Sequence, residues 1–221
     1  MGDFIKPLVL TYMFNNSKYI KMVSIIKKLS FAIMLIAFSS VTLNAQDAAK
    51  WNLDKSHTSV NFSINRFFSE ITGKFTDYEG SINFDSNNLK GSKTEFTIAV
   101  NSVSTANDQR DQHLQSADFF NSETYPKMTF ISTKFEKKTD TEYLIYGKLT
   151  IKDQTKDVIL PMKITGEMEH PMAKGVFILS VAINATIDRT DFGVGTGNWA
   201  TTSVLSDEVK INIPIDLVRK E

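Results

Sequence analysis

Eight runs of apolar residues at two-residue spacing constrain this chain more than anything else in it. The cleanest is Val209, Ile211, Ile213, Ile215 and Leu217, where every intervening residue except Pro214 is polar. Spacing of two places these side chains on one face of a pleated strand; a helix would scatter them around its axis. The same period recurs in Val60, Phe62 and Ile64; in Tyr78, Gly80, Ile82 and Phe84; and in Phe96, Ile98 and Val100. It returns from about Met128 to Phe135, in Tyr143 to Ile151, in Val158 to Ile164, and in Phe177 to Ile187. Between the runs lie turn-forming segments, such as Asp85-Ser-Asn-Asn88 with Gly91, Lys137 to Asp140, Lys152 to Thr155, and His170-Pro171 to Gly175. Such punctuation joins antiparallel neighbours by hairpins. The expected fold is all-β, an extended eight-stranded antiparallel barrel, because closure removes the unpaired edges of a flat meander. Pro214 cannot donate to a ladder, so it should mark a bulge or an unpaired flank.

One connection breaks the hairpin rhythm. Arg110 to Pro126, between the third and fourth strands, carries Arg110, Asp111, His113 and Asp118 beside Leu114, Phe119, Phe120 and Tyr125. Compact domains seldom carry structureless loops longer than about 12–15 residues without a use for them. A short helical or irregular cap fits: apolar residues toward the barrel, charged ones tying it down at the rim. An eight-stranded barrel is either filled by its own side chains or holds one small ligand. Period two alone cannot separate a filled core from a dry tunnel, and composition favours the filled core. Glycines inside or beside strands (Gly73, Gly80, Gly147, Gly166) mark bends or close approaches.

The first 45 residues read differently. Lys27-Lys28, an apolar stretch to Leu43, and Asn44-Ala45-Gln46 form the three-part pattern of a secretory signal peptide. The apolar run is shorter than the roughly 20 residues of a spanning helix and is diluted by Ser and Thr. Residues 22–45 are therefore expected to be a cleaved signal, residues 1–21 an over-extended N-terminus, and residues 46–221 the mature domain, with no stable membrane span. Five Lys and one Asp fall before the cut, which leaves 20 basic and 24 acidic residues. A mildly acidic domain without a basic stripe is a poor nucleic-acid binder. The chain has no cysteine, which excludes disulfides, thiol catalysis and thiolate metal sites.

Catalytic signals are thin. His57, His113 and His170 are scattered, with no HExxH pairing and no GxSxG elbow. His113 near Ser116 and Asp118 is the one hydrolytic constellation to weigh, and it sits on a loop. Gly193-Val-Gly-Thr-Gly197 lacks the Lys-Ser/Thr pair and helix of a phosphate loop. Neither a cofactor nor a metal site is expected.

From Trp51 to about Val218 the chain resembles the YceI-like family of exported polyisoprenoid-binding proteins. The likeness runs through Trp51-x-Leu53-Asp54 with His57, Val60-x-Phe62, Gly73-x-Phe75, Gly80, and Ser102-Val-Ser-Thr105. It continues with Arg110-Asp111-x-His113-Leu114, Ser116-x-Asp118-Phe119-Phe120, Tyr125-Pro126 with Phe130, Gly147-x-Leu149-Thr150, and Asp188-Arg189-x-Asp191-Phe192-Gly193. The chain departs from the usual pattern at Arg66, where many members carry His, and at Thr58 and Asp153. The resemblance implies a lipocalin-like barrel whose channel holds an isoprenoid or other long apolar lipid, a periplasmic location, and no established catalysis. Under that reading the wall contacts are expected from Phe62, Ile64, Phe75, Leu114, Phe119, Phe120, Phe130 and Phe177. Arg66, Arg110 and Arg189 are the rim candidates, held by Asp111 and His113. For Arg110-Asp111 and Asp188-Arg189, a purely structural pairing that pins the connector is at least as strong a reading, because most ion pairs have no binding role. A structural or stress-protective barrel with a filled core, a hydrolase using His113, and a homodimer remain as alternatives.

Overall fold

The structure, a computed structural model, describes residues 47–201 and 203–220, so the expected signal and the residues before it lie outside the described residues. Eleven strands form one sheet: β1 (Lys50–Asp54), β2 (Val60–Arg66), β3 (Ser69–Phe75), β4 (Tyr78–Asn83), β5 (Lys93–Ala99), β6 (Val103–Ser104), β7 (Lys127–Lys137), β8 (Glu142–Ile151), β9 (Gln154–Glu169), β10 (Val176–Asp188) and β11 (Leu205–Lys220). One helix, α1 (Asp108–Gln115), lies between β6 and β7.

The eleven strands are eight staves. β1 and β2 together run along β11, β1 at one half and β2 at the other. β3 and β4 then run along β2 and β1, and β6 and β5 along β3 and β4. β5 pairs with β7, and the meander continues through β8, β9 and β10 to β11, whose pairing with β1 closes the barrel. The antiparallel eight-stranded barrel expected from periodicity is present, with the connector as a helix-containing cap. Three strands have no counterpart among the eight runs: β1, β3 and β6. In β3 the inward series is Ile71, Gly73 and Phe75, so a glycine erases the middle of the pattern; β6 is only two residues long.

The interruption between β1 and β2 explains Pro214. Its carbonyl accepts from Ser59 N–H at 3.1 Å, so its backbone polar groups face the gap between the two half-strands. Proline's missing N–H therefore falls where no strand offers an acceptor. Thr58 fills that gap: its Oγ1 accepts from Asp216 N–H (3.1 Å), and its carbonyl accepts from the Tyr78 hydroxyl (2.6 Å). Burial raises the Tyr78 pKa above its ordinary value.

The inward faces build three apolar clusters. One, around Trp51, Phe84, Tyr143, Leu179 and Leu217, sits at the end where β1 begins and β11 finishes. A second lies beneath β2–β6, and a third gathers Phe119, Ile187, Phe192, Val194 and Leu205 at the α1 end. Among the described residues no helix is long and apolar enough to cross a membrane.

Candidate ligand cavity and its mouth

The barrel is hollow. A cavity of about 800 Å³ runs along its inside, lined almost wholly by the inward residues of the alternating strands. Period two could not distinguish a filled from an open interior; the structure shows how the lumen is kept clear. Phe62 lies directly opposite Gly73, and Phe96 opposite Gly80. Phe130 lies over Gly147 on the neighbouring stave. At each glycine a Cβ would come within 3 Å of the ring, at Gly80 2.6 Å from Phe96. Each ring thus occupies the space against the wall that the missing side chain leaves. Glycine within a strand marks such a close approach, and here the approach keeps aromatic bulk out of the lumen.

One end of the cavity is sealed. The Trp51 indole N–H donates to the Phe84 carbonyl at 3.0 Å, and Phe84 packs edge-on to Tyr143 with ring centroids 5.2 Å apart. The Arg219 guanidinium lies over both Trp51 (4.9 Å) and Phe177 (5.4 Å). Phe177, expected among the wall contacts, belongs to this seal and is not among the residues that line the cavity.

The other end opens. The lining residues that are exposed are Arg66, Asn107 and Gln109, so the mouth lies between the β2–β3 hairpin and the start of α1. Asn107 caps the helix, its Oδ1 accepting from Arg110 N–H at 2.9 Å. Asp108 and Asp111 in the first turn suit the positive end of the helix dipole. Arg110 and Asp111 do not meet as an ion pair. Both engage Thr105: Asp111 Oδ1 accepts from Thr105 N–H (2.8 Å) and Oγ1–H (2.5 Å), while Arg110 donates to Thr105 Oγ1 (2.7 Å) and O (2.8 Å). That triad fastens α1 to the end of β6. Arg110 still lines the cavity, whereas Asp111 does not.

Arg189 is a pin. It is only 4% exposed, and its guanidinium donates to the carbonyls of Ser206, Val194, Gly195, Trp199 and Leu205, with Asp207 Oδ1 at 3.2 Å. Burial lowers its pKa from the ordinary guanidinium value, and Asp207 and Asp188 oppose that shift. Gly195, at φ +84°, must be glycine here, since a Cβ would fall on the guanidinium. The pinned loop in turn donates Gly195 N–H and Thr196 N–H to the Asp118 carbonyl, at 3.0 and 2.8 Å, which ties it to the connector. Arg189 reaches the cavity wall with most of its hydrogen-bonding capacity already committed.

By fixing the Trp199 carbonyl, Arg189 also places Trp199. That indole packs on His113 (5.3 Å) and Phe119 (5.6 Å) beside the mouth. His113 Nε2 approaches Asp118 Oδ2 at 3.3 Å, and Ser116 Oγ, buried, makes no hydrogen bond. The serine–histidine contact a hydrolase would need is not made. No three His, Asp or Glu side chains converge as a metal site among the described residues.

Of the residues expected at the ligand, Phe62, Ile64, Arg66, Phe75, Arg110, His113, Leu114, Phe119, Phe120, Phe130 and Arg189 all line the cavity. Phe96, Met128, Ile187, Trp199 and Leu205 line it too, though sequence reasoning did not single them out. Phe96 carried the period-two signal of its strand; Trp199 sits in a glycine-rich loop with no periodicity.

A closed up-and-down barrel around an apolar cavity, capped by a short helix and open at one end, defines a binding protein of lipocalin-like architecture. The chain belongs to the YceI-like family: the YceI-like domain matches residues 51–217. It is 38% identical to the protein YceI of Salmonella arizonae over 183 residues, 81% of this chain and 92% of that one. Among solved structures, the YceI protein of Campylobacter jejuni matches at TM-score 0.64 and 35% identity, covering 70% of this chain and 88% of that chain. A polyisoprenoid binding domain from Saccharophagus degradans shares the fold at TM-score 0.58 and 15% identity, over 77% of this chain and 98% of that one.

Proposed function

We propose that this protein is a periplasmic carrier that holds a long apolar isoprenoid-type lipid in its barrel and catalyses nothing. The observation that carries the reading is the apolar cavity of about 800 Å³ kept open by the Phe–Gly pairs. That volume lies in the roughly 300–1,000 Å³ range of small-ligand pockets. The family membership, and a barrel of the same fold that is a polyisoprenoid binding domain, support the same cargo.

The energetics suit a chain. Each five-carbon unit buried contributes about 4 kcal/mol at ~0.8 kcal/mol per carbon. A few units then suffice for tight binding once ordering of the chain is subtracted. A polar end needs only orientation at the mouth. Arg66 is the rim arginine best able to supply it: Arg110 is engaged with Thr105 and Arg189 with its loop carbonyls. An anionic headgroup fits a forked guanidinium donor. The signal pattern in residues 22–45 supports export.

Native mass spectrometry of the protein purified from cells that export it tests the reading. A stoichiometric, solvent-extractable apolar ligand is the expected result. A folded barrel that is empty, and that stays empty when offered long-chain prenols, would sink it.

A further inference from the structure

We propose that the β2–β3 hairpin tip, Phe67-Phe68, docks the cavity mouth on a phospholipid bilayer. This role rests on the carrier reading, because it supplies the path by which cargo enters. Arg66 pairs with Ser69 across the hairpin, so Phe67 and Phe68 are the whole turn. Phe67 holds φ +53°, and Phe68 does not share the positive φ. A two-residue turn with positive φ at its first central position alone favours glycine there. Phenylalanine at that place runs against local backbone chemistry, and such departures cluster at functional sites.

Among the described residues neither ring is packed away from solvent. Phe67 is 56% exposed and Phe68 105%, the largest exposures of any Phe, Tyr or Trp among the described residues. The turn is held all the same: Phe67 N–H donates to the Val204 carbonyl at 3.0 Å, and the Arg66 guanidinium lies over the Phe67 ring at 5.2 Å. Arg66 also lines the cavity, so the aromatic tip begins one residue from the mouth.

Bilayer is the occupant these features fit. Two phenylalanines offer about 150–250 Å² each, well short of the roughly 800 Å² per partner of a stable protein interface. They suffice to enter the acyl boundary while an arginine stays among the phosphates. The mature chain is net acidic, so no broad electrostatic attraction supports the contact. Docking driven by two rings is weak and reversible, as a carrier that must leave again requires.

Flotation with phosphatidylcholine vesicles, and with phosphatidylethanolamine–phosphatidylglycerol vesicles, tests the proposal on the mature protein. Phe67→Ala with Phe68→Ala is expected to lower partitioning on the order of a hundredfold, with little change between about 0.05 and 0.5 M salt. Met168→Ala with Met172→Ala, exposed at the opposite end, should leave partitioning unchanged. In Phe68→Trp, the fluorescence of the introduced indole should be quenched by brominated lipid. Wild-type partitioning by the Phe67/Phe68 double variant, no such quenching in Phe68→Trp, or loss of binding in the Met pair would each overturn the proposal. Cargo in the purified proteins is read separately by native mass, so an empty barrel that still floats fails the carrier reading and leaves the docking result standing.

Discussion

The two ends of the barrel are built from different materials. At the sealed end, Phe84 packs edge-on to Tyr143 in a cluster with Trp51, Leu179 and Leu217 that has almost no solvent access. At the mouth, polar pins do much of the holding: Arg189 gathers the carbonyls of one loop, and Thr105 fastens α1 through Arg110 and Asp111. Burial of large apolar side chains supplies most of a small domain's stability, whereas hydrogen bonds fix geometry at small net gain. The contrast implies that the fold is secured at one end and the ligand is admitted at the other. Substitutions at the two ends should then separate into those that change stability and those that change loading.

The largest expected effect is at the seal. Trp51→Ala removes a buried aromatic and its hydrogen bond to Phe84, and should destabilise by about 3–5 kcal/mol in urea unfolding. Trp51 does not line the cavity, so ligand per folded molecule should stay unchanged. Loss of loading without loss of stability would erase the distinction between the ends. Next comes Arg189→Met, which leaves several buried carbonyls unpaired and should cost about 2–3 kcal/mol. Its signature should be local: faster proteolysis within residues 193–204, altered Trp199 fluorescence, and poorer lipid retention. A uniform loss of stability with full retention would show that the loop plays no part in the mouth.

How much of this was legible beforehand follows from the kinds of signal involved. Strict alternation in β8, β10 and β11 announces inward faces directly, because a one-residue slip would expose every apolar side chain. The hollow interior carries no such mark, since a wall and a core have the same periodicity. What distinguishes them is the Phe–Gly pairing across staves, which depends on register, and register is not written in any single strand. Arg189 and Asp188 looked like an ion pair in sequence, yet Arg189 reaches Asp207 and backbone carbonyls across an intervening loop. Phe177 follows the period of its strand but packs under Arg219 at the sealed end, off the cavity lining.

The Phe–Gly pairs sharpen the comparison midway along the barrel. In Gly73→Ala the new methyl would meet the Phe62 ring and the Thr105 methyl, all of them side-chain atoms. The ring must swing into the lumen, at an overpacking cost of about 1–2 kcal/mol. Lipid loading should fall more than stability does, and Phe62→Leu in the same molecule should restore it. Unchanged loading in Gly73→Ala would mean that the lumen has room to spare.

The smallest effect lies at the waist, where β1 gives way to β2. His57 Nδ1 meets Asp54 Oδ2 at 2.8 Å. The hydrogen bond to Asp54 raises the His57 pKa above its ordinary 6.5, with that carboxylate's charge and Asp216 adding to it. The same bond lowers Asp54 below 3.8, helped by Ser56 N–H. The folded state therefore holds the histidine proton more tightly than the unfolded chain does. The pair's contribution is complete below the unfolded histidine value and is lost as pH rises through the raised one. On the acid side it is lost again as pH falls through the lowered Asp54 value. His57 is exposed and Asp54 half-buried, so screening keeps the gain small. His57→Gln should be slightly less stable than wild type near pH 5.5 and equal to it near pH 9, roughly on either side of the raised value. A stability gap that persists unchanged at the higher pH would mean His57 holds the waist by packing, and that neither end of the barrel senses protons through it.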